Sequence, residues 1–129
     1  MHPSAERWWE YAERDLPTVR AVLQIERWDG ASFYAQQAVE KALKALLAGG
    51  GDRPPRIHDL VVLSRRVGAP PEFRRDLAEL TRVYVTTRYP DVVLEPGAPA
   101  GVDQAMAEHH VRVAQEVLEW VRQQLSTAS

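Results

Sequence analysis

An all-α fold, an up-and-down four-helix bundle with one additional short helix, is what this sequence predicts. Three observations predict it. Apolar residues return at spacings of three and four through four long segments, the pattern of amphipathic helices. Clusters of glycine and proline fall between those segments. No stretch of useful length alternates in the strand period, apart from a weak run at Val92, Val93 and Leu94. The length of 129 residues suits a single domain over residues 1–129. Such a chain buries roughly two thirds of its unfolded surface, so its core needs no covalent staples.

The first helix is predicted over residues 4–27, with Ser4 as N-cap and Glu6 and Glu10 in or near the electropositive first turns. Trp9, Ala12, Leu16, Val19 and Leu23 form its core stripe, and Pro17 removes one backbone bond, which predicts a bend. Trp28, Asp29 and Gly30 read as the break, with Asp29 or Ser32 capping the second helix. That helix carries two seams. Ala31, Ala35, Ala38, Ala42 and Ala45 make a small-residue seam that lets a neighbouring backbone approach, and Val39, Leu43 and Leu46 make a larger one beside it. Gln37, Glu40, Lys41 and Lys44 form a narrow polar stripe. Gly49, Gly50 and Gly51 end the helix.

A proline-containing loop over residues 52–57 leads to a short helix from near His58 to Gly68, with Leu60, Leu63 and Val67 inward. Pro71 suits the first turn of the next helix, whose stripe is Phe73, Leu77, Leu80 and Tyr84. Thr86 and Thr87 weaken that helix, and Pro90 disfavours helical geometry at Tyr89. Residues 90–101 hold three prolines and two glycines and read as an irregular loop. The last helix begins near Val102 or Asp103 and runs to about Leu125, with Met106, His110, Val113, Val117 and Trp120 inward.

Composition excludes several classes of function. There is no cysteine, hence no disulfide framework and no thiolate nucleophile or ligand. No apolar run approaches a membrane span, and the N-terminus lacks an apolar signal core, so a cytoplasmic location is expected. The net charge of −2 argues against bulk attraction to nucleic acid or membrane. Arg53, Arg56, Arg65, Arg66, Arg74 and Arg75 gather mid-chain, but Asp52, Asp59, Glu72 and Asp76 oppose them, which reads as a solvated, salt-bridged surface. The histidines stand in no ligand spacing, so neither metal nor cofactor is expected. His110 falls on an apolar stripe and reads as a packed core residue, with His109 turned to another neighbour or to solvent. The triple glycine follows a helix and lacks the Gly-Lys-Ser/Thr ending of a phosphate loop.

Two constellations can carry chemistry. In the polar stripe, Glu40 precedes Lys44 by four residues, an orientation worth about 0.3–0.5 kcal/mol as an intrahelical pair. The functional alternative makes Lys41 or Lys44 an anion contact at a cleft or dimer seam. The second constellation is Arg88, Tyr89, Pro90 and Asp91 at the junction of helix and loop. Arg88 offers a planar fork suited to phosphate or carboxylate, Tyr89 a ring that stacks on a base or packs inside, and Asp91 a turn cap or a clamp on Arg88.

Taken together, these segments resemble the HEPN domain family (higher eukaryote and prokaryote nucleotide-binding). The matching runs, in order, are Ala12-Glu13-Arg14-Asp15-Leu16, the stretch from Phe33 to Leu46, His58-Asp59-Leu60, and Thr87-Arg88-Tyr89-Pro90-Asp91. The resemblance spans nearly the whole chain. It implies a bundle of four helices plus a short one, a nucleotide- or RNA-associated role, a homodimer, and a minimal nucleotidyltransferase as partner in a toxin–antitoxin-like pair. Lys41, Lys44, His58, Arg88, Tyr89 and Asp91 become the nucleotide- or anion-binding candidates. Active members of the family are metal-independent ribonucleases that pair an arginine with a histidine beyond four to six intervening residues, across two protomers. After Arg88 those positions hold Val93, Leu94 and Glu95. Arg53 and His58 satisfy the spacing but lie in a proline loop, which reads as coincidence. The expectation is therefore a binding module. The alternatives are a ribonuclease with Arg88 as its catalytic residue and a purely structural dimerisation domain.

Overall fold

The computed structural model describes residues 2–88 and 101–127, with Arg88 described by its backbone alone. Five α-helices and one 3₁₀ turn follow in order: α1 Pro3–Gln24, α2 Trp28–Gly49, α3 Leu60–Arg66, the turn Pro71–Phe73, α4 Arg74–Arg88 and α5 Gln104–Thr127. There is no strand among the described residues, so the all-α bundle with four long helices and a short one is the fold observed. The weak strand-like run at Val92, Val93 and Leu94 lies outside the described residues, as do Tyr89 and Asp91.

Helix α2 is the central element. Ala31, Ala35, Ala38, Ala42 and Ala45 are all fully enclosed, as are Val39 and Leu43. The small seam brings α1 and α5 against α2, because no bulky side chain separates the backbones. Val19 of α1, Leu60 and Leu63 of α3, Leu77 and Leu80 of α4 and Val113, Val117 and Val121 of α5 complete the core. Helix α1 continues through Pro17.

The boundary between α1 and α2 departs from expectation. The break lies at residues 25–27, and Trp28, Asp29 and Gly30 form the first turn of α2. Arg27 N–H donates to Val22 O at 3.1 Å and Glu26 N–H to Leu23 O at 3.0 Å, the bond pair of a Schellman closure. The left-handed residue that this closure needs is Glu26, at φ 62°, and not a glycine. Gly30 serves a different purpose: a Cβ there would stand 2.9 Å from Val22 Cγ1, so it permits the close approach of α1 and α2. Neither Asp29 nor Ser32 caps α2; its N-cap is Arg27, which makes no side-chain capping bond.

Other ends differ by a residue or two. The N-cap of α1 is His2 rather than Ser4, and His2 Nδ1 accepts from Ser4 N–H at 3.1 Å. Asp59 caps α3, accepting from the Val61 and Val62 amides, so His58 stands just outside that helix. Asp103 accepts from the Met106 amide at 2.8 Å and starts α5. The threonines near the end of α4 do not stop it: their hydroxyls donate back to Val83 O and the helix reaches Arg88.

Candidate functional site

Gln36, Glu40 and Lys44 are spaced by four residues, so they stack on one face of α2. That face is buried: Glu40 and Lys44 expose 6% and 5% of their surface and Gln36 none. Burying a carboxylate and an ammonium is tolerable only if both are paired and hydrogen-bonded. Lys44 Nζ donates to Glu40 Oε2 at 3.0 Å. Glu40 Oε1 accepts from Gln36 Nε2 at 3.1 Å and from His58 Nδ1 at 2.8 Å. Gln36 Nε2 also reaches the His58 carbonyl at 3.3 Å, while its Oε1 accepts from Gln37 Nε2 at 2.7 Å. Lys44 Nζ lies 5.5 Å from the centre of the Trp8 ring of α1, a cation–π contact. Among the described residues, no buried side-chain nitrogen or oxygen lacks a partner.

His58 is the exposed member of this cluster, with 51% of its side chain accessible. A carboxylate oxygen only accepts, so the Nδ1 that faces Glu40 carries the proton. In the neutral ring Nε2 then holds the lone pair, and it has no partner among the described residues. The ring packs on Tyr84 of α4 at 5.0 Å between centroids, and Tyr84 stacks in turn on Phe33 of α2 at 5.8 Å. The run His58-Asp59-Leu60 thus performs three tasks in three residues. It sends an imidazole to Glu40, caps α3, and fixes the start of α3 to α4 through Leu60 N–H and Thr81 Oγ1 at 3.1 Å.

The two lysine candidates share a feature that the polar stripe did not reveal. Lys44 is neutralised by Glu40, and Lys41 Nζ donates to Asp15 Oδ2 of α1 at 2.7 Å. Other cations stand on the neighbouring loop and at the end of α4. Arg53 and Arg56, on the loop between α2 and α3, are exposed and form no ion pair among the described residues. Arg88 closes α4, four residues after Tyr84.

A second polar cluster starts one turn earlier on α2, at Ser32. Ser32 Oγ and His110 Nδ1 are 2.7 Å apart, and His110 Nε2 is 3.1 Å from Glu79 Oε1 of α4. The carboxylate again decides the tautomer: Nε2–H donates to Glu79 and Nδ1 accepts from the Ser32 hydroxyl. Burial holds the His110 pKa below its ordinary value of 6.5, although Glu79 pulls the other way. Ser32 and His110 are both fully enclosed, so this serine–histidine–glutamate chain cannot meet a substrate. His109 turns to Asp76 at 2.8 Å. Among the described residues no group of His, Asp and Glu could hold a metal ion.

A model of the HEPN domain family matches residues 5–124 of this chain. The chain belongs to the HEPN domain family. Two crystal structures support the assignment. ST0689, an archaeal HEPN homologue, superposes with a TM-score of 0.75 at 33% identity, over 93% of this chain and 96% of that one. TT1696 from Thermus thermophilus gives a TM-score of 0.81 at 30% identity, over 95% and 98%. No curated protein matches significantly. In this HEPN chain three of the motif segments quoted from the sequence meet around the middle of α2, and the fourth lies mostly outside the described residues. The α2 stretch supplies Glu40 and Lys44, the α1 stretch supplies Asp15 to Lys41, and His58 bridges to Tyr84, near the end of α4. Gln36 was absent from the sequence candidates. Its spacing of four from Glu40 was the available signal, obscured by the neighbouring Gln37.

Proposed function

We propose that this HEPN domain, acting as one unit over residues 1–129, is a nucleotide- or RNA-associated binding module. It works as a homodimer and pairs with a minimal nucleotidyltransferase in a toxin–antitoxin-like manner. One observation carries the reading: an exposed imidazole packed on an aromatic ring, beside a loop with two exposed arginines, its outer nitrogen and both arginines without a partner among the described residues. Stacking and hydrogen bonding suit a nucleobase, and arginine suits phosphate. In this reading His58, Arg88, Tyr89 and Asp91 touch the ligand. Lys41 and Lys44 support the site through Asp15 and Glu40.

Isothermal titration with ATP, GTP and short single-stranded RNA tests it, with the protein alone and with a minimal nucleotidyltransferase encoded beside it. Binding of at least one, weakened by His58→Ala, is expected. Heats of dilution alone in every titration would refute the reading.

A further inference from the structure

We propose that the α3–α4 connection and the adjoining face of α5 form a docking surface for an acidic segment of a partner protein. Carboxylates of that segment meet Arg65, Arg66, Arg74 and Arg75, and one of its apolar side chains sits beside Trp120. The surface shares no residue with the nucleotide site proposed above.

The salt bridges expected across the mid-chain arginines do not form among the described residues. Arg65, Arg66, Arg74 and Arg75 are all exposed, and none has an ion pair or a side-chain hydrogen bond there. Between Arg65 and Arg75 one carboxylate opposes them, Glu72, in a chain whose net charge is −2. Two other expected partners are committed elsewhere: Asp59 caps α3, and Asp76 faces His109 at 2.8 Å. Topology gathers the four cations. The start of α3 is tied to the middle of α4 by Leu60 N–H and Thr81 Oγ1 at 3.1 Å, and its end returns to the start of α4 through residues 67–73. The last turn of α3 and the first turn of α4 thus share one end of this helix pair. Helix stability explains half of the pattern. Arg65 and Arg66 complement the negative end of α3. Arg74 and Arg75 stand at the positive end of α4, where a cation is disfavoured, so their benefit lies outside the fold.

Phe73 links these arginines to an apolar anchor. Its ring, one residue before Arg74, meets Trp120 of α5 edge to face, with 6.5 Å between centroids and 74° between planes. Trp120 in turn lines an open groove of about 560 Å³ with Arg112, Gln115, Glu116, Glu119 and Gln123. A half-buried tryptophan next to a group of arginines matches the composition of protein–protein hot spots. The two halves of the surface define the occupant. Arginine forks take carboxylates through paired hydrogen bonds. In the groove, Glu116 and Glu119 repel a phosphate backbone, whereas the amides of Gln115 and Gln123 suit peptide groups and Trp120 suits an apolar side chain. A protein segment rich in Asp and Glu, with one large apolar residue, satisfies both halves. A nucleic acid strand satisfies only the arginines.

The probe is a fluorescein-labelled peptide of glutamates around a central phenylalanine. The same peptide with lysine in place of glutamate, and a single-stranded RNA of equal length, serve as comparisons. Binding to the full chain is followed by fluorescence anisotropy and by the amide shifts of isotope-labelled protein. The acidic peptide is expected to bind, to move amides within residues 65–75 and 112–123, and to bind more weakly as salt rises. Arg74→Glu combined with Arg75→Glu should weaken it about tenfold or more. That variant places carboxylates at the favourable end of α4, so it folds. Alanine in place of the peptide's phenylalanine should also weaken binding about tenfold. No binding of the acidic peptide, shifts confined to other residues, equal binding of the lysine peptide, or undiminished binding by the double variant overturns the docking surface. Tighter binding of the RNA at the same amides overturns it too and gives the surface to nucleic acid. None of these results bears on the nucleotide titrations, which report on the His58 face.

Discussion

Complete enclosure of His110 ties stability to pH at a single residue. Its pKa is lowered in the folded protein chiefly by burial, with His109 adding to the effect and Glu79 and Asp76 opposing it. The unfolded chain therefore binds the proton more readily than the folded one, and stability rises with pH across the interval below about 6.5. The His110 contribution is complete above that value and is lost as pH falls towards the folded pKa. Urea unfolding of the wild type should show this loss between pH 7 and pH 5. His110→Gln should show a smaller change over the same interval, the difference between the two isolating the imidazole from carboxylates elsewhere. Glu40 invites a different test. Glu40→Ala leaves Lys44 buried and unpaired, which costs about 3–5 kcal/mol. Glu40→Leu combined with Lys44→Met removes both charges and should recover most of that loss. His110 was recognisable as a core residue from its place on the α5 stripe. Its partner Ser32 was not, because periodicity says which face a residue occupies and nothing of what it meets 78 positions away.

At the scale of elements, the three helix-ending closures divide in an instructive way. After α2 and α3 the left-handed position is a glycine, Gly51 at φ 88° and Gly68 at φ 68°, and both ends were legible in the sequence. After α1 the same geometry falls on Glu26, and the nearby Gly30 drew the predicted break several residues too late. The sequence pattern cannot separate a glycine needed for its backbone from one needed for its missing side chain. Val22 pressing towards Gly30 identifies the second kind. Glu26→Gly should therefore stabilise the protein. It relieves a left-handed cost of about 1–2 kcal/mol and gives back about 0.5–1 kcal/mol through the looser unfolded chain. A net gain of about 0.5–1 kcal/mol in chemical denaturation is expected. Asp59→Ala should act in the opposite sense, losing the cap on the Val61 and Val62 amides at about 1 kcal/mol. Because α3 carries the adjacent His58, that loss should also weaken nucleotide binding, whereas Glu26→Gly should not.

Across the whole molecule, charge sets what kind of ligand contact is possible. The net charge is −2, and both lysines already neutralise carboxylates within the fold. In the proposed binding mode an RNA strand is held by a few arginines around the His58 loop, and not by the two lysines. Counterion release makes this measurable. For single strands the logarithm of the binding constant falls with that of salt concentration with a slope of about −0.7 per neutralised phosphate. If Arg53, Arg56 and Arg88 each neutralise one phosphate, a site within one protomer gives a slope of about −2. A site shared by two protomers gives about −4. Light scattering on the same samples reports whether the second protomer is present at all. Arg53→Ala with Arg56→Ala should reduce the single-protomer slope by about 1.4 while leaving helicity unchanged. A slope steeper than about −5 would demand more cations than this site offers and would place the strand on a different surface.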